Sequence, residues 1–459
     1  MRRLVAAALL LVAPGRGAAL DAARAACVLE TAQRKLLATD ARLVPANDPK
    51  GTSNGLWTTV PAGDALGWTQ GFFAGSLWLV FEATGEVKWR ARAEAWTSPL
   101  AVQRTNRASH DLGFKLMPSF GQMARLTGDA NAKSVLLEAA ASLASRYDAK
   151  VGAVKCCDWN PDWKFPVVID TMMNLELLLW GAANGGDAAW RQMALTHALT
   201  TARDLVRADG GTFHVADYDP TTGALRWRGT FQGAGDGTTW SRGEAWALYG
   251  FTLAWQYTRD DRMLAAARKV AGYWLARAPA DGVPNWDFDS TRALADSSAA
   301  AAAASGLLAL AGEVGGAEGD GYRARALATL DALAGSGYLD ASASEALLLH
   351  GVGDLPHDSE IDVGLVYGDY YFLEALLRVF PHPGACATSA PTTPGSTPTP
   401  APTPAPTPDV TPTPAPAAGP SGSSGGGCGN TDGVSALAAL LAALVLARAI
   451  SRPRARRRS

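Results

Sequence analysis

The sequence predicts an all-α protein, an (α/α)6 barrel in which six helical hairpins close into a toroid with long loops at one end. The main observation is a set of tight-turn signals that recur between apolar segments with helical spacing, at 84–86, 127–129, 185–187, 258–261 and 315–321. Each turn joins two helices, which gives ten. Helices at about 21–38 and 365–380 bring the predicted number to twelve.

The loops that return from one hairpin to the next differ from these turns. They are long and rich in Gly, Trp and Asp, as in NPDWKFP and VPNWDFDS, whereas the hairpin turns are short. Long loops with aromatic and acidic side chains on a rigid scaffold usually mark the binding face. An open superhelical stack of helix pairs is the structural alternative to a closed ring.

The cysteines bear on closure of the ring. The chain has 5 cysteines, of which Cys428 belongs to the C-terminal tail. Cys156 and Cys157 are chain neighbours whose mutual bridge would be strained. Cys27 and Cys386 flank the body of the protein. A bridge between them would require the first and last helices to be neighbours, as closure also does.

Both chain ends differ in composition from the body, 20–385. Residues 1–19, MRRLVAAALLLVAPGRGAA, have the basic start, short apolar core and small residues of a secretory signal peptide. Residues 386–427 form a Pro/Thr/Gly-rich linker, and 428–459 carry a short apolar segment and terminal arginines. This tail resembles bacterial sorting tails, with a plain membrane anchor as the alternative. We therefore expect an exported protein anchored at the bacterial cell surface or membrane, whose only membrane contact is the tail.

Charge and motif content exclude several classes of function. The formal net charge is −2, and no basic cluster occurs outside the two ends, which argues against a nucleic-acid partner. No Cys or His pair has metal-ligand spacing, and neither a nucleophile elbow nor a phosphate-binding glycine loop occurs. We therefore expect neither a metal nor a cofactor.

Tryptophan is unusually frequent, with 15 residues against 12 phenylalanines. Indole rings stack on the apolar faces of sugars, so the abundance favours a carbohydrate site, although core packing is the more frequent role for any single tryptophan. Those next to polar loop residues are Trp57, Trp68, Trp159, Trp163, Trp227, Trp240 and Trp286.

Two acids stand where a carboxylate can be tuned. Asp170 precedes the apolar, Met-rich segment TMMNLE, and Asp111 precedes LGFKLMPSF. An acid at a helix start is often only an N-cap. Apolar walls and a second acid nearby raise a carboxyl pKa, whereas the helix dipole lowers it. We expect the two helix starts to converge at one end of the barrel and a general acid to result.

The longest loop, 212–246, ends in a predicted helix start. It contributes further polar and aromatic candidates, namely His214, Gln232, Asp236, Trp240 and Arg242. A lone loop histidine is more often a hydrogen-bonding residue than a catalyst. Arg242 is the expected partner of a substrate carboxylate, because a guanidinium matches a carboxylate with two parallel hydrogen bonds.

Several of these motifs together resemble a known family. HDLGF, IDTMMNLE, TFHVADYDPTTG, the QG..D...W.RG.AWALYG pattern from 232 to 250, PNWDFDS and VGLVYGDYYFLEAL occur in order between 68 and 377. The set is similar to the unsaturated glucuronyl hydrolases of glycoside hydrolase family 88. The resemblance implies a six-hairpin α/α barrel, in agreement with the count of turns.

The resemblance also implies an unusual reaction. Such enzymes remove the 4,5-unsaturated uronic acid that polysaccharide lyases leave at the non-reducing end of oligosaccharides, and they do so by hydrating its vinyl ether. Asp170 matches the acid/base, and Asp111 matches the second essential aspartate. Trp68, at or near the stacking tryptophan, and His214, Gln232, Trp240 and Arg242 match positions that line the active site.

Two positions depart from the family pattern, and three other interpretations remain. Glu244 stands where relatives more often have Gln, and Gly237 where many have Asp, so specificity is less certain than reaction type. The alternatives are an unsaturated rhamnogalacturonyl hydrolase of family 105, a non-catalytic surface carbohydrate-binding protein, and a conventional inverting or retaining acid pair. The disaccharide cleaved and the oligomeric state are left open.

Overall fold

The barrel is built from twelve helices, as predicted. The computed structural model describes residues 19–387. Nearly all of the predicted signal peptide, the linker and the tail with Cys428 lie outside these described residues. Within them the α-helices are α1 (Ala22–Arg42), α2 (Gly71–Thr84), α3 (Val87–Thr97), α4 (Leu112–Leu116), α5 (Gln122–Thr127), α6 (Ala130–Ala144), α7 (Thr171–Ala183), α8 (Ala189–Asp204), α9 (Ser241–Thr258), α10 (Asp261–Arg277), α11 (Ser297–Val314), α12 (Gly316–Leu333) and α13 (Val366–Val379).

Segments α4 and α5 form one interrupted helix, so the thirteen segments amount to twelve helices. A π-helical turn, Met117–Gly121, joins them and contains Pro118. Proline has no backbone N–H to donate, so the regular ladder is interrupted there. Short 3-10 helices at Ser98–Thr105 and Leu355–His357 lie in the connections.

The helices form two concentric rings. Helices α2, α4–α5, α7, α9, α11 and α13 each pack against the next, and α13 packs against α2 to close the inner ring. Helix α11 of the inner ring is buried almost all round, because every residue from 297 to 310 is buried. Helices α3, α6, α8, α10 and α12 lie outside them against their hairpin partners. This is the predicted (α/α)6 barrel, and an apolar perimeter is what such a central position requires.

Close crossings in the inner ring depend on glycine. A Cβ atom on Gly113 would lie 2.5 Å from Cα of Asn174, and one on Gly250 would lie 2.5 Å from Cβ of Met172. Side chains at these two positions would force α4 and α9 away from α7. The backbones therefore approach closely because these residues have no side chain.

The hairpin turns lie where the sequence predicts them. Gly85 and Gly128 end α2 and α5 in the left-handed conformation, with φ of 69° at both positions. Arg259 does the same after α9 with φ of 53°. The turn at 315–321 is shorter than predicted, because α12 begins at Gly316 and residues 317–321 are helical.

At the other end the loops contain short antiparallel strands, which an all-α prediction omits. These are β1 (Asn47–Ser53), β2 (Leu56–Pro61), β3 (Tyr147–Asp148), β4 (Ala153–Val154), β5 (Phe165–Val168), β6 (Val215–Tyr218), β7 (Leu225–Gly229), β8 (Gly351–Asp354) and β9 (Ser359–Val363). Strands β5, β6 and β7 form a three-stranded sheet, whereas the others pair as hairpins. The sheets are small and support the loops, so the helical barrel remains the fold.

The first and last helices meet as closure requires. Cys27 on α1 and Cys386 after α13 form a disulfide with their Cα atoms 4.5 Å apart, so this pairing is confirmed. Arg24 of α1 also pairs with Asp331 of α12. On the other side of α1, Asp40 lies 2.9 Å from Arg92 of α3. Helix α1 thus completes the outer ring.

One helix among residues 19–387, Ser297–Val314, is long and apolar enough to cross a membrane by length and composition. It is α11, and 78% of its most apolar window is buried inside the protein. Its composition follows from its position in the inner ring, where α9, α12 and α13 surround it.

Candidate active site

A cavity of about 220 Å³ at the loop end gathers most of the predicted site residues. Six of the seven line it, namely Trp68, Asp111, Asp170, His214, Gln232 and Arg242. A second cavity of about 460 Å³ shares Trp68, Gln232 and Arg242 with the first. The two cavities are therefore parts of one cleft, with both acids at one side.

Strand pairing places His214 beside Asp170. Strands β5 and β6 are antiparallel, with Val168 opposite Val215. The pairing continues beyond the strands, because the Ile169 N–H donates to the His214 carbonyl at 2.9 Å. Asp170 follows directly as the first residue before α7. Its Oδ2 atom lies 3.3 Å from Nε2 of His214.

The contacts of His214 determine which ring nitrogen carries the proton. The backbone N–H groups of Phe231 and Gln232 point at Nδ1, at 3.3 and 3.1 Å. Nδ1 is therefore the acceptor, and in the neutral ring the proton is on Nε2. Nε2 thus directs its N–H toward the Asp170 carboxylate.

Asp111 lies at the start of α4 in a polar surrounding. Its Oδ2 accepts a hydrogen bond of 2.7 Å from the Ser109 hydroxyl. Its Oδ1 lies 3.3 Å from Nε2 of His110 and 3.4 Å from Nδ2 of Asn174. Neither Asp111 nor Asp170 makes a side-chain cap hydrogen bond to its helix. The capping interpretation is therefore wrong for both acids, and their carboxylates face the cavity.

Asn174 is a site residue that the sequence analysis missed. Its Oδ1 accepts from the Phe114 N–H at 2.8 Å, and its Nδ2 lies 3.3 Å from the Asp170 carbonyl. It therefore connects the starts of α4 and α7 and reaches Asp111 as well. The available signal was an asparagine one turn after Asp170 in a mostly apolar helix.

His110 is a second missed residue, although it lies in the HDLGF motif. It is 6% exposed, and its Nδ1 lies 2.9 Å from the Thr171 hydroxyl. Burial lowers the pKa of His110, although Asp111 and Asp170 oppose the shift. His110 thus connects the first residue of α7 to the carboxylate that precedes α4.

The pKa of Asp170 corrects one expectation. Burial raises this pKa, but His214, which faces the carboxylate, together with smaller contributions from His110 and Arg242, outweighs burial and lowers the pKa below its ordinary value. We expected a raised pKa from the apolar walls. The prediction is wrong because the sequence did not show that a histidine faces the carboxylate.

Arg242 is held by the backbone of β8. Its side chain is 1% exposed, and it donates to the carbonyls of Val352 and, at 2.5 Å, Gly353. Its guanidinium lies over the Trp240 ring, 4.5 Å from the ring centroid. Both terminal nitrogens are therefore engaged with β8, whereas the Nε–H has no partner among residues 19–387 and the side chain lines both cavities, so the contact with a substrate carboxylate stays a prediction.

Trp240 and Gln232 complete the predicted set. Trp240 is 3% exposed and does not line the cavity, but its ring packs against His214 with centroids 4.6 Å apart. It therefore supports the histidine rather than facing a ligand. Gln232 lines the cleft, and its amide donates to the Gly353 carbonyl at 3.1 Å.

A larger cavity of about 990 Å³ opens near the hairpin turns, and none of the predicted site residues lines it. Its acids include Glu176 and Glu374. Burial raises the pKa of Glu176 to about 7, and Glu374 lies 2.9 Å from the Tyr249 hydroxyl. We assign the reaction to the loop end because both predicted acids are there. Among the described residues, no group of three or more His, Cys, Asp or Glu side chains could hold a metal ion.

An (α/α)6 barrel with two acids at helix starts beside stacking aromatics defines a carbohydrate-active enzyme of the six-hairpin class. No family model matches the chain. A relative named unsaturated glucuronyl hydrolase, from Formosa agariphila, is 39% identical over 328 residues, which are 70% of this chain and 80% of the relative. The chain belongs to the unsaturated glucuronyl hydrolases.

Solved structures agree with this assignment. An unsaturated glucuronyl hydrolase specific for heparin is 36% identical, with a TM-score of 0.74 over 77% of this chain and 96% of that chain. A variant enzyme in complex with dGlcA-Glc-Rha-Glc is 32% identical, with a TM-score of 0.71 over 77% of this chain and 94% of that chain. The resemblance to family 88 is confirmed.

The protein is therefore a glycosidase that removes a 4,5-unsaturated uronic acid from the non-reducing end of oligosaccharides by hydration of the double bond. Unsaturated uronic-acid oligosaccharides are its substrates. The relatives favour this activity over the rhamnogalacturonyl hydrolase and over a non-catalytic binding protein.

Glu244, the departure from the family pattern, provides a test of the buried electrostatics. Burial raises its pKa to about 8, while Thr212 and Arg207 lower it less. A carboxyl group whose pKa is higher in the folded protein contributes stability at pH values below its pKa in the unfolded protein. This contribution is lost as pH rises toward the folded pKa. Between about pH 4.5 and pH 8 the loss is up to about 1.4 kcal/mol per pH unit. Glu244→Gln should remove this contribution, so its melting temperature should decline less than that of the wild type between these pH values.

The control for this measurement is Glu138→Gln, which removes a carboxylate with a half-exposed side chain. The melting temperature of this variant should change with pH as steeply as that of the wild type. If the melting temperature of Glu244→Gln changed with pH as steeply as that of the wild type, Glu244 would be ionised at neutral pH.

Proposed function

We propose that Asp170 is the general acid and base of the hydration and that Asp111 holds the sugar. The main support for this proposal is that both carboxylates line one small cavity, in which Nε2 of His214 faces the carboxylate of Asp170. Protonated Asp170 gives its proton to C4 of the unsaturated uronate, and the electron pair of the C4–C5 double bond forms the new C–H bond. Positive charge then develops at C5 and on the ring oxygen.

The same carboxylate serves in the second half of the reaction. Ionised Asp170 accepts a proton from a water molecule, whose oxygen bonds to C5. The product is a hemiketal, which opens and releases the remaining sugar. Asp170 is protonated again at the end, so the step is balanced without a cofactor.

Asp170 must gain a proton although its pKa is lowered in the empty site. The substrate supplies the reason, because it carries a carboxylate of its own into the same cavity. A like charge a few ångströms away in a desolvated site raises the pKa of an acid. Binding of the uronate therefore drives proton uptake by Asp170, and the empty enzyme rests in the ionised form.

Asp111 and its partners fit a binding role. Its Oδ2 accepts from Ser109, and its Oδ1 lies between His110 and Asn174. A carboxylate fixed from three sides can accept hydrogen bonds from ring hydroxyls without reorganising. Trp68, which lines both cavities, is placed to stack on a sugar face.

Asp170→Asn should reduce kcat by about a hundredfold to ten-thousandfold, the usual contribution of general acid–base catalysis. The amide has the size of the carboxyl group but can neither donate the proton to C4 nor accept one from water. The measurement is the loss of ultraviolet absorbance of the conjugated uronate in a panel of lyase-made disaccharides.

Asp162→Asn is the control for this variant, because Asp162 is exposed on the loop that leads to β5. It should retain the wild-type rate. Wild-type turnover by Asp170→Asn would place the acid elsewhere in the cavity.

The pH profile tests the role of His214. If kcat/KM requires protonated Asp170, it declines as pH rises above the pKa of that acid in the free enzyme. Because His214 lowers this pKa, His214→Asn should move the declining limb to higher pH, whatever the loss in absolute rate. Trp240→Phe, which alters an uncharged neighbour of the ring, should leave the limb in place. An unmoved limb in His214→Asn would contradict the proposed coupling.

We also propose that the enzyme is exported and held at the bacterial surface or membrane by its C-terminal tail. The signal-like start, the Pro-rich linker and the basic end of the tail support this, as does the Cys27–Cys386 disulfide, since such bonds persist in oxidising compartments. In a bacterial host, the chain without 428–459 should appear in the medium or periplasm, and the full chain in the envelope fraction. Equal distribution of the two forms would contradict anchoring by the tail.

A further inference from the structure

Two neighbouring cysteines form part of the substrate cavity. Cys156 is 1% exposed and Cys157 is 8% exposed, and both line the cavity that holds Asp111 and Asp170. Their Sγ atoms are 2.7 Å apart. A disulfide bond is about 2.05 Å long, so a small rotation of the side chains brings the sulfurs to bonding distance. The mechanism derived above uses neither thiol.

The backbone holds the two cysteines in position. The Cys156 N–H donates to the Pro166 carbonyl at 2.9 Å, and the Cys156 carbonyl accepts from the His110 N–H at 3.1 Å. The side chains belong to a small apolar cluster that is separate from the main core and includes Val168, Val215, Trp163, Trp227 and Phe231. The segment is therefore fixed both to β5 and to the residue that precedes Asp111.

We propose that Cys156 and Cys157 are joined as a vicinal disulfide that forms part of the wall of the substrate cavity. Two thiols lose two electrons and two protons to a disulfide of the glutathione or protein-disulfide class. The partner leaves as two thiols, and one S–S bond replaces another. The chain already contains the Cys27–Cys386 disulfide, so its environment supplies such oxidants.

The sequence indicates that a bridge between these chain neighbours would be strained. Strain does not exclude the bond. Neighbouring Cα atoms are about 3.8 Å apart, whereas disulfides prefer about 4.4–6.8 Å. A strained bridge is more easily reduced than an unstrained one, so this bond should open before Cys27–Cys386 does. Burial raises the pKa of the Cys156 thiol, which also makes the reduced form slow to react.

The bond should affect substrate binding through the HD motif. Because the Cys156 carbonyl holds the His110 N–H, the cystine ring fixes the backbone beside Asp111. Opening the ring loosens this positioning contact and adds two thiol groups to the cavity wall. A displacement of about an ångström at such a site lowers kcat/KM by up to about 100-fold.

The first test is a peptide map of the full chain after treatment with oxidised glutathione. The protein is denatured and alkylated without reductant, and the peptide with Cys156 and Cys157 should carry no alkyl group and lack two hydrogens. Alkylation of both residues would overturn the proposal. This map does not use activity, so its outcome is independent of the proposed function.

The second test follows activity and dithiol capture during mild reduction. The wild type should lose kcat/KM, mainly through a higher KM, and should then bind phenylarsine oxide, which requires two adjacent thiols. The Cys27→Ser/Cys386→Ser variant should respond in the same way, whereas Cys156→Ser/Cys157→Ser should respond to neither reagent. If this last variant fails to fold, the peptide map still decides whether Cys156 and Cys157 form a disulfide. A response that persists in a folded Cys156→Ser/Cys157→Ser protein would contradict the role of the bond.

Discussion

The close contact between the starts of α4 and α7 is the constraint on which the site depends. Gly113 has no side chain, so the backbone of α4 lies directly against Asn174 of α7. Each acid is the residue immediately before its helix, so this contact brings Asp111 and Asp170 to one cavity. Asn174 then fixes the arrangement with hydrogen bonds to both segments. A wider spacing would separate the acid from the residue that holds its substrate.

The electrostatic balance at Asp170 connects this geometry to selectivity. Burial favours the protonated acid, and His214, His110 and Arg242 together favour the carboxylate more strongly. A substrate that carries a carboxylate shifts the balance toward the proton, whereas a neutral sugar of the same shape does not. In the proposed mechanism, an acid that takes up a proton from solvent when a carboxylate binds beside it would discriminate in favour of uronates through chemistry as well as binding.

The sequence was informative where a local rule determines the structure. Turns at Gly85 and Gly128 follow from the left-handed conformation that glycine adopts, and apolar inner helices follow from burial on all sides. Six of the seven site residues predicted from the motifs line the cavity. The sign of the Asp170 shift, the role of Arg242 and the importance of Asn174 depend on partners distant in the chain. Val352 and Gly353, which accept from Arg242, are more than a hundred residues away from it, and no periodicity in the sequence indicates such a contact.

The two departures from the family pattern now have different meanings. Glu244 lies fully buried on α9 and lines neither part of the cleft, and burial raises its pKa to about 8. A neutral carboxyl group has nearly the shape of the glutamine amide that relatives more often have there, so at neutral pH the exchange leaves the substrate site unchanged. A Cβ on Gly237 would meet nothing within 4 Å, so the loop loses a possible acid without any rearrangement of its packing. Gly237 likewise lines neither part of the cleft, so neither departure replaces a side chain that would contact the sugar there.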